Sequence, residues 1–285
     1  MSNVEAEKGM SEPAKHRCLE GKVAIVTGGG RGIGRAIAET LATHGASVSV
    51  AARTRTEIAE TVRDIQSRGG RATAIVADVS VDKEVRRMCR ETQRRLGPPD
   101  ILVNNAGHVG VFTSLWKSDP SEWWRNLEVN LRGPMLCSRA VLPSMISRRK
   151  GVIVNIGSYI GIRAYPENIA YSTSKSALVR FTDGLAASVA KYGIGVFLLS
   201  PGMVKTSMLH EIPKNILGNE SDIVWSQPEA AANIVLRLAC GEGMALSGRF
   251  LHVEDDFDLL VREAGRIRKE NLYTLRLLKL KGPED

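Results

Sequence analysis

Two side chains four residues apart, Tyr171 and Lys175, form the best candidate pair for proton transfer in this sequence. In a helix, this separation places both side chains on one face, so the ammonium group can lie near the phenol. A nearby cation favours the phenolate and lowers a tyrosine pKa from its reference value of about 10. We therefore predict a general acid–base pair, although a pattern this short also occurs on ordinary solvated helices.

A third candidate for catalysis, Ser158, follows a predicted strand that ends near Ile156. Its hydroxyl can hold a substrate oxygen while Tyr171 exchanges a proton with that oxygen. This chemistry needs no metal ion, and we expect no metal site because the cysteines form no CxxC or Cys/His cluster. For the same reason we expect reduced thiols, without a disulfide framework, at Cys18, Cys89, Cys137 and Cys240.

A glycine-rich segment at residues 27–34 (T-G-G-G-R-G-I-G) separates the first predicted strand from the first predicted helix. Glycines let the backbone turn tightly and approach a pyrophosphate, whose charge is favoured by the N–H groups at the helix start. The segment predicts a dinucleotide site; the alternative is a tight strand–helix turn without a ligand. Its candidate cofactor-binding residues are Thr27, Gly28, Arg31, Gly32, Ile33 and Gly34.

The segment after the second predicted strand carries arginine where many dinucleotide sites carry an acidic residue for the adenosine ribose. No carboxylate occurs between His44 and Glu57, whereas Arg53 and Arg31 can form charge-assisted hydrogen bonds to a 2′-phosphate. The pattern predicts NADP(H) in preference to NAD(H), and NAD(H) stays possible. The alternative is that Arg53 is a solvated residue at the start of a helix.

Short apolar runs alternate with longer amphipathic segments from residue 22 onward. This rhythm predicts an α/β fold, a doubly wound, Rossmann-like sheet of about seven parallel strands with helices on both faces. We expect one domain over residues 21–256, a flexible leader over residues 1–20 and a helical extension over residues 257–285. The extension is amphipathic, so we expect it to pack on its own subunit or on a sister subunit.

Ligands of such sheets bind where the strands end, and two further strand ends carry polar or small residues. Asp78 and Val79 follow the third strand, and Asn104-Asn105-Ala106-Gly107 follows the fourth. Asp78 can alternatively only cap the next helix. The amides and glycine of the second group suit a cofactor ribose and can brace neighbouring strands. The candidate cofactor-binding residues here are Asp78, Val79, Asn105, Ala106 and Gly107.

The sequence resembles the classical short-chain dehydrogenase/reductase family over about residues 20–255. The matching motifs are T-G-x3-G-x-G at residues 27–34, N-N-A-G at residues 104–107 and Y-x3-K at Tyr171 and Lys175. The resemblance implies an enzyme that transfers a hydride between NAD(P)(H) and a ketone or secondary alcohol. It also implies a homodimer or homotetramer, although the residues after the family's usual last strand put the usual interface in doubt.

The resemblance further implies a role for individual residues. Tyr171 would exchange a proton with the substrate oxygen, while Lys175 would lower its pKa and bind the nicotinamide ribose. Ser158 would hydrogen-bond the substrate carbonyl, and Asn130 would hold a water that connects Lys175 to solvent. Asp78 would meet the adenine. At the nicotinamide end, the implied cofactor-binding residues are Pro201, Gly202, Val204 and Thr206, together with Tyr171 and Lys175.

Substrate identity rests on the apolar segment of residues 203–226, where Met203 and Met208 join Ser158 and Tyr171 as candidate substrate contacts. Leu115 and Trp116 are expected to face this segment. A medium-sized ketone or secondary alcohol fits best. Two loop histidines, His108 and His210, could touch substrate, but each is expected to be an ordinary loop residue. The alternatives are an NAD(H)-dependent alcohol dehydrogenase, a 3-oxoacyl-carrier-protein reductase-like or hydroxysteroid dehydrogenase-like enzyme, and a non-enzymatic nucleotide-binding protein.

The charge balance, 39 lysines and arginines against 31 aspartates and glutamates, gives a formal net charge of +8. No stacking motif or dense basic block accompanies this charge, so we expect a basic solvated surface and no nucleic-acid partner. No apolar run approaches the roughly 18 residues of a membrane helix, and the first residues are polar. We therefore expect a cytoplasmic protein without a membrane partner.

Overall fold

The apolar runs of the sequence form a parallel sheet in the computed structural model, which describes residues 17–217 and 219–277. The strands are β1 (Val23–Thr27), β2 (Ser47–Ala52), β3 (Arg71–Val76), β4 (Ile101–Asn104), β5 (Gly151–Ile156), β6 (Ile194–Ser200), β7 (Met203–Val204), β8 (Trp225–Ser226) and β9 (Phe250–His252). In the described part of the chain, seven of them form one sheet in the order β3-β2-β1-β4-β5-β6-β9, with all neighbours parallel. The short strands β7 and β8 form a separate parallel pair.

Helices connect the strands and cover the sheet. They are α1 (Gly32–Thr43), α2 (Arg55–Ser67), α3 (Asp82–Leu96), α4 (Pro120–Leu127), α5 (Gly133–Arg148), α6 (Ile169–Val189), α7 (Lys214–Leu217), α8 (Pro228–Ala239), α9 (Phe257–Arg262) and α10 (Ala264–Lys269). The predicted doubly wound fold with about seven parallel strands is confirmed.

Alternate residues of β1 pack against opposite layers of helices, because successive side chains of a strand point to opposite faces. Ala24 and Val26 belong to a core cluster with residues of α1, α2 and α8, whereas Ile25 belongs to a cluster with α3, α5 and the end of α6. Both faces of the central strand are therefore covered, which explains its wholly apolar sequence.

The helical region from Pro120 to Arg148 is interrupted. After α4 the chain forms a π-helical turn over Glu128–Arg132, and α5 begins at Gly133. A π-helical turn contains one residue more than an α-helical turn and often occurs at functional sites. Here it contains Asn130, whose side chain is buried.

The beginning of the described chain corrects two expectations. Cys18 and Cys240 form a disulfide across 222 residues of sequence, although reduced thiols were predicted. Spacing gave no sign of this pair because the contact depends on the docking of the segment before β1 beside the end of α8. Leu19 is fully buried and its N–H donates to the carbonyl of His44, so the fold begins before residue 21. Residues 1–16 of the expected leader lie outside the described residues.

The extension after β9 packs on its own chain. Phe257 and Leu260 of α9, and Ala264 and Ile267 of α10, are buried in the same cluster as α1 and α8. The chain then passes the last strand of the sheet, where the N–H of Phe250 donates to the carbonyl of Tyr273 at 2.8 Å. The expected helical character ends at Lys269, and the residues from 278 onward lie outside the described part.

The contact between the glycine turn and the loop after β4 requires that residue 34 have no side chain. A Cβ at Gly34 would overlap the carbonyl oxygen of Gly28 and the side-chain nitrogen of Asn105. Gly184, in α6, has open space where its Cβ would lie.

We predict that Gly34→Ala lowers the free energy of unfolding by about 2–3 kcal/mol, because backbone and a packed amide must move. Gly184→Ala is the matched control and should raise stability by about 0.5–1 kcal/mol, since alanine is the better helix former. Urea unfolding of both variants measures these changes. Equal stability of the two variants would show that the turn accommodates a side chain.

Candidate active site

The residues predicted for chemistry lie around a single cleft of about 350 Å³ where the parallel strands end. The cleft collects loops from six strands of the sheet. The predicted residues that line it are Gly28, Arg31, Gly32, Ile33, Gly34, Arg53, Asp78, Val79, Asn105, Ala106, Gly107, Ser158, Tyr171, Lys175, Pro201, Gly202, Met203, Val204, Thr206 and Met208. Thr27 and Asn130 were also predicted, and both are buried behind this lining.

Thr27 and Asn105 hold the glycine turn against the loop after β4. The Thr27 hydroxyl accepts hydrogen bonds from the N–H groups of Asn105 at 3.0 Å and Ala106 at 3.1 Å. The Asn105 side chain donates to the carbonyls of Thr27 and Gly28, each at 3.0 Å. Thr27 is therefore a positioning residue in this structure rather than a lining residue.

A second polar chain joins β4, β5 and α6 inside the protein. The Asn104 side chain donates to Asn155 at 2.8 Å, and Asn155 donates to the hydroxyl of Thr182 at 2.9 Å. All three side chains are buried. Because a buried hydrogen bond is costly to break, this chain holds α6 in register with the strands beside it.

The first turn of α6 carries the acid–base pair. The side chain of Asn168 caps the helix by accepting a hydrogen bond from the N–H of Tyr171 at 3.0 Å. One turn later, the buried ammonium group of Lys175 donates to the carbonyl of Ile156 at 2.9 Å and lies 5.6 Å from the centre of the Tyr171 ring. Burial lowers the pKa of Lys175 to about 8, because a charged amine is poorly solvated there.

The pKa of Tyr171 differs from the sequence-based expectation. Burial raises it to about 12, and the interaction with the Ser158 hydroxyl opposes this rise without cancelling it. The net shift is opposite to the predicted one, because burial of the phenol outweighs the influence of the Lys175 ammonium group, which donates to Ile156. The phenol is therefore protonated at neutral pH, which is the form that can donate a proton to a substrate oxygen.

Asn130 connects the loop after β4 with α6. Its side-chain oxygen accepts from the N–H of His108 at 2.9 Å, and its amide donates to the carbonyl of His108 at 2.8 Å and to the hydroxyl of Ser174 at 2.9 Å. Ser174 precedes Lys175 directly. The π-helical turn thus places Asn130 behind the acid–base pair, and its implied role in holding a water stays a prediction.

The end of the cleft near β2 contains two arginines and one carboxylate, and the carboxylate was not predicted from the sequence. Arg53 is exposed at the cleft, and Arg31 pairs with Glu57 at 3.3 Å. Glu57 lies in the first turn of α2 and also lines the cleft. The sequence could have indicated Glu57, because a helix that starts directly after β2 places its first turn beside the end of that strand.

Asp78, implied to meet the adenine, is held by two neighbours. Its carboxylate accepts from the N–H and hydroxyl of Ser80, at 2.9 and 2.6 Å, and from Arg125 at 3.0 Å. Burial acts to raise its pKa, but these hydrogen bonds outweigh burial and hold the pKa below its usual value. Arg125 comes from α4 and lines the cleft, which no motif in the sequence indicated.

Several lining residues were not predicted one by one, although Ser207, Leu209 and Ile212 belong to the predicted 203–226 segment, and two expected contacts are wrong. The remaining lining residues are Gly30, Ala52, Thr54, Ala77, His108, Val109, Phe112, Val129, Ile156, Gly157, Ile160, Tyr165, Ser207, Leu209 and Ile212. Leu115 and Trp116 do not face the 203–226 segment in this cleft. Leu115 lines a separate cavity of about 240 Å³, and Trp116 is 85% exposed. A 3₁₀ turn at Leu115–Lys117 carries both side chains away from the cleft.

The profile of the short chain dehydrogenase family matches residues 22–217. The chain belongs to this family. It is accordingly an oxidoreductase of a family that uses nicotinamide cofactors, and the sequence-based recognition is confirmed.

Individual relatives agree with this assignment. A short chain dehydrogenase of Pseudocercospora fijiensis is 32% identical over 278 residues, which cover 91% of this chain and 90% of that protein. A gluconate 5-dehydrogenase from Burkholderia cenocepacia in complex with NADP and tartrate has a TM-score of 0.77 and 30% identity, covering 86% and 98% of the two chains. A 3-oxoacyl-[acyl-carrier protein] reductase with bound NAD from Brucella melitensis has a TM-score of 0.75 and 30% identity, covering 87% and 96%.

No helix in the described part of the chain is long and apolar enough to cross a membrane. Within residues 17–217 and 219–277, no group of three or more His, Cys, Asp or Glu side chains is arranged to hold a metal ion.

We predict that Lys175→Met raises the free energy of unfolding at pH 7 by about 3 kcal/mol, although it removes a catalytic candidate. Below pH 8 the lysine is charged in both folded and unfolded chains, so the full cost of burial is present. Between its folded pKa of about 8 and the ordinary lysine pKa of 10.5, the folded protein loses the proton first and wild-type stability rises with pH. The advantage of the variant should therefore shrink across this range.

Urea unfolding at pH 7 and at pH 9.5 measures the effect. Lys83→Met, on the exposed side of α3, is the matched control and should change little at either pH. A Lys175→Met variant less stable than wild type at pH 7 would contradict the burial cost.

Proposed function

We propose that this oxidoreductase transfers a hydride between NADP(H) and a ketone or secondary alcohol, with Tyr171 as the general acid and base. The observation that carries the proposal is the convergence of Ser158, Tyr171 and Lys175 on one cleft that also contains the glycine turn. The bound cofactor supplies the hydride, and the protein supplies position and proton transfer.

In the direction of reduction, the substrate carbonyl oxygen accepts hydrogen bonds from Ser158 and Tyr171. As the carbonyl carbon receives the hydride, the phenol of Tyr171 gives its proton to the oxygen, and the alcohol forms. The resulting phenolate is stabilised by the ammonium group of Lys175 and recovers a proton from solvent. We propose that a water held at Asn130 lies on that path. Oxidation of the alcohol uses the same steps in reverse.

The preference for NADP(H) rests on Arg53, an exposed cation at the end of the cleft nearest β2. A guanidinium group there can bind the 2′-phosphate, which NAD lacks. Glu57 favours the second candidate, an NAD(H)-dependent enzyme, because a carboxylate can accept hydrogen bonds from ribose hydroxyls. However, Glu57 pairs with Arg31, which offsets the negative charge of the carboxylate and thereby supports the NADP(H)-dependent enzyme. The similar structures with NADP and with NAD represent both possibilities.

We predict that Tyr171→Phe lowers kcat for ketone reduction by about 10²–10⁴-fold, because the proton donor is lost while the ring stays. Loss of NADPH absorbance in the presence of a panel of ketones measures the rate. Tyr159→Phe removes a hydroxyl from an exposed ring outside the cleft and should keep wild-type activity. Normal turnover by Tyr171→Phe would remove the proposed mechanism.

We predict that Arg53→Ala raises the apparent KM for NADPH about tenfold to a hundredfold and leaves that for NADH nearly unchanged. Charge-assisted hydrogen bonds to the 2′-phosphate exist only with NADPH. Arg55→Ala is the matched control, since Arg55 is exposed two residues away and does not line the cleft. An unchanged NADPH-to-NADH ratio in Arg53→Ala would favour the NAD(H)-dependent enzyme.

A further inference from the structure

His108 follows the N-N-A-G motif directly and is fixed in the cleft by its backbone. Its N–H donates to the side-chain oxygen of Asn130, and its carbonyl accepts from the amide of Asn130. The residue lines the same cleft as Ser158 and Tyr171. The position of the ring is therefore tied to the acid–base pair, because Asn130 also bonds to the turn of α6 that carries the pair.

The two ring nitrogens of His108 differ in environment. Within the described residues, Nε2 is buried without a hydrogen-bond partner, whereas Nδ1 does not belong to the buried unpaired atoms and takes part in no hydrogen bond of the described residues. Burial lowers the pKa of His108, so the ring is neutral at pH 7 and carries one N–H. An unpaired N–H is costlier to bury than an unpaired acceptor, which places the hydrogen on Nδ1. The ring thus presents a hydrogen-bond donor that no described residue uses.

The cleft lining after β4, β5 and β6 is largely apolar, and the arginines whose charges act on His108 are Arg53, after β2, and Arg125, from α4. The apolar residues of this part of the cleft are Val109, Phe112, Ile160, Met208, Leu209 and Ile212. The described cleft residues after β6 include no lysine or arginine. In the stretch between β5 and the second turn of α6, the one cation of the lining is Lys175, whose ammonium group already donates to Ile156.

We propose that His108 selects ketones that carry a second oxygen on an otherwise apolar body, by donating a hydrogen bond from Nδ1 to that oxygen. The second oxygen is a hydroxyl or a carbonyl, and the first is the carbonyl that is reduced. This inference rests on the proposed function for the reaction and adds the substrate class. A donor in an apolar cleft discriminates strongly, because a substrate that lacks the second oxygen leaves the donor desolvated and unpaired.

The experiment compares kcat/KM for two matched pairs of ketones in the full chain. The pairs are 6-hydroxy-1-tetralone against 1-tetralone, and ethyl acetoacetate against 2-hexanone. Wild type should favour the member with two oxygens in at least one pair by about tenfold or more. His108→Phe should reduce this ratio to within about threefold, and His108→Gln, which restores an N–H donor, should recover part of it.

His210→Phe is the matched control, since His210 is exposed and does not line the cleft, and its ratio should equal that of wild type. Thermal unfolding and NADPH binding confirm that each variant folds. The proposal is overturned if wild type shows no preference in either pair, or if His108→Phe keeps the wild-type ratio.

A binding measurement separates this proposal from the proposed function. In the Tyr171→Phe background, tryptophan fluorescence gives the Kd of each ketone with and without His108→Phe. Loss of the binding preference with His108→Phe supports the role of His108. If the wild-type enzyme reduces none of the ketones, that result refutes the proposed reaction alone, and the binding measurement still tests His108. An unchanged binding preference refutes the role of His108 while leaving the reaction in place.

Discussion

The buried ammonium group of Lys175 is the constraint on which the site depends. Burial lowers its pKa to about 8 and therefore costs stability at neutral pH, while its nearest described partner is a single carbonyl, that of Ile156. The fold provides that partner because β5 ends beside the first turns of α6. This buried charge lowers the stability of the fold but can assist proton transfer, because it lies beside the Tyr171 ring and can stabilise a phenolate when one forms. The site is thus destabilised locally, and the rest of the fold must offset this.

Two buried polar chains provide part of that offset. Thr27 and Asn105 join the ends of β1 and β4, and the chain from Asn104 through Asn155 to Thr182 joins β4, β5 and α6. These bonds cross between elements that the hydrophobic core alone would leave free to slide. Apart from the Asn104 side-chain oxygen, which has no partner among the described residues, these buried groups pair only at the correct register, so a shift of one strand leaves more polar atoms unpaired. The buried hydrogen bonds therefore fix the relative positions of the strands and α6, and apolar packing stabilises that arrangement.

Much of this arrangement was predictable because it follows local rules. The alternation of apolar runs with amphipathic segments predicted the sheet. The glycine-rich segment predicted one end of the cleft, and the four-residue spacing predicted that Tyr171 lies near Lys175. The misses depend on distant contacts. The Cys18–Cys240 disulfide joins residues 222 positions apart, and the raised pKa of Tyr171 reflects burial, which spacing cannot measure. The π-helical turn differs from an α-helix by one residue, too little for a periodicity to detect.

Chemistry and substrate choice are carried by different kinds of structure. The acid–base pair lies on a long helix bonded to the central strands, whereas the apolar lining comes from loops and from short elements such as the 3₁₀ turn at Ser207–Glu211 and α7. These short elements make few backbone bonds to the sheet, so their side chains can change without moving Tyr171 or Lys175. The similar structures named for gluconate and for 3-oxoacyl chains fit this division, because both share the fold at 30% identity. His108 is a special case, since Asn130 bonds both to its backbone and to the turn of α6 that carries Lys175, while His108 lines the same cleft as these short elements. A residue with both attachments can couple the position of a substrate's second oxygen to the position of the carbonyl that reacts.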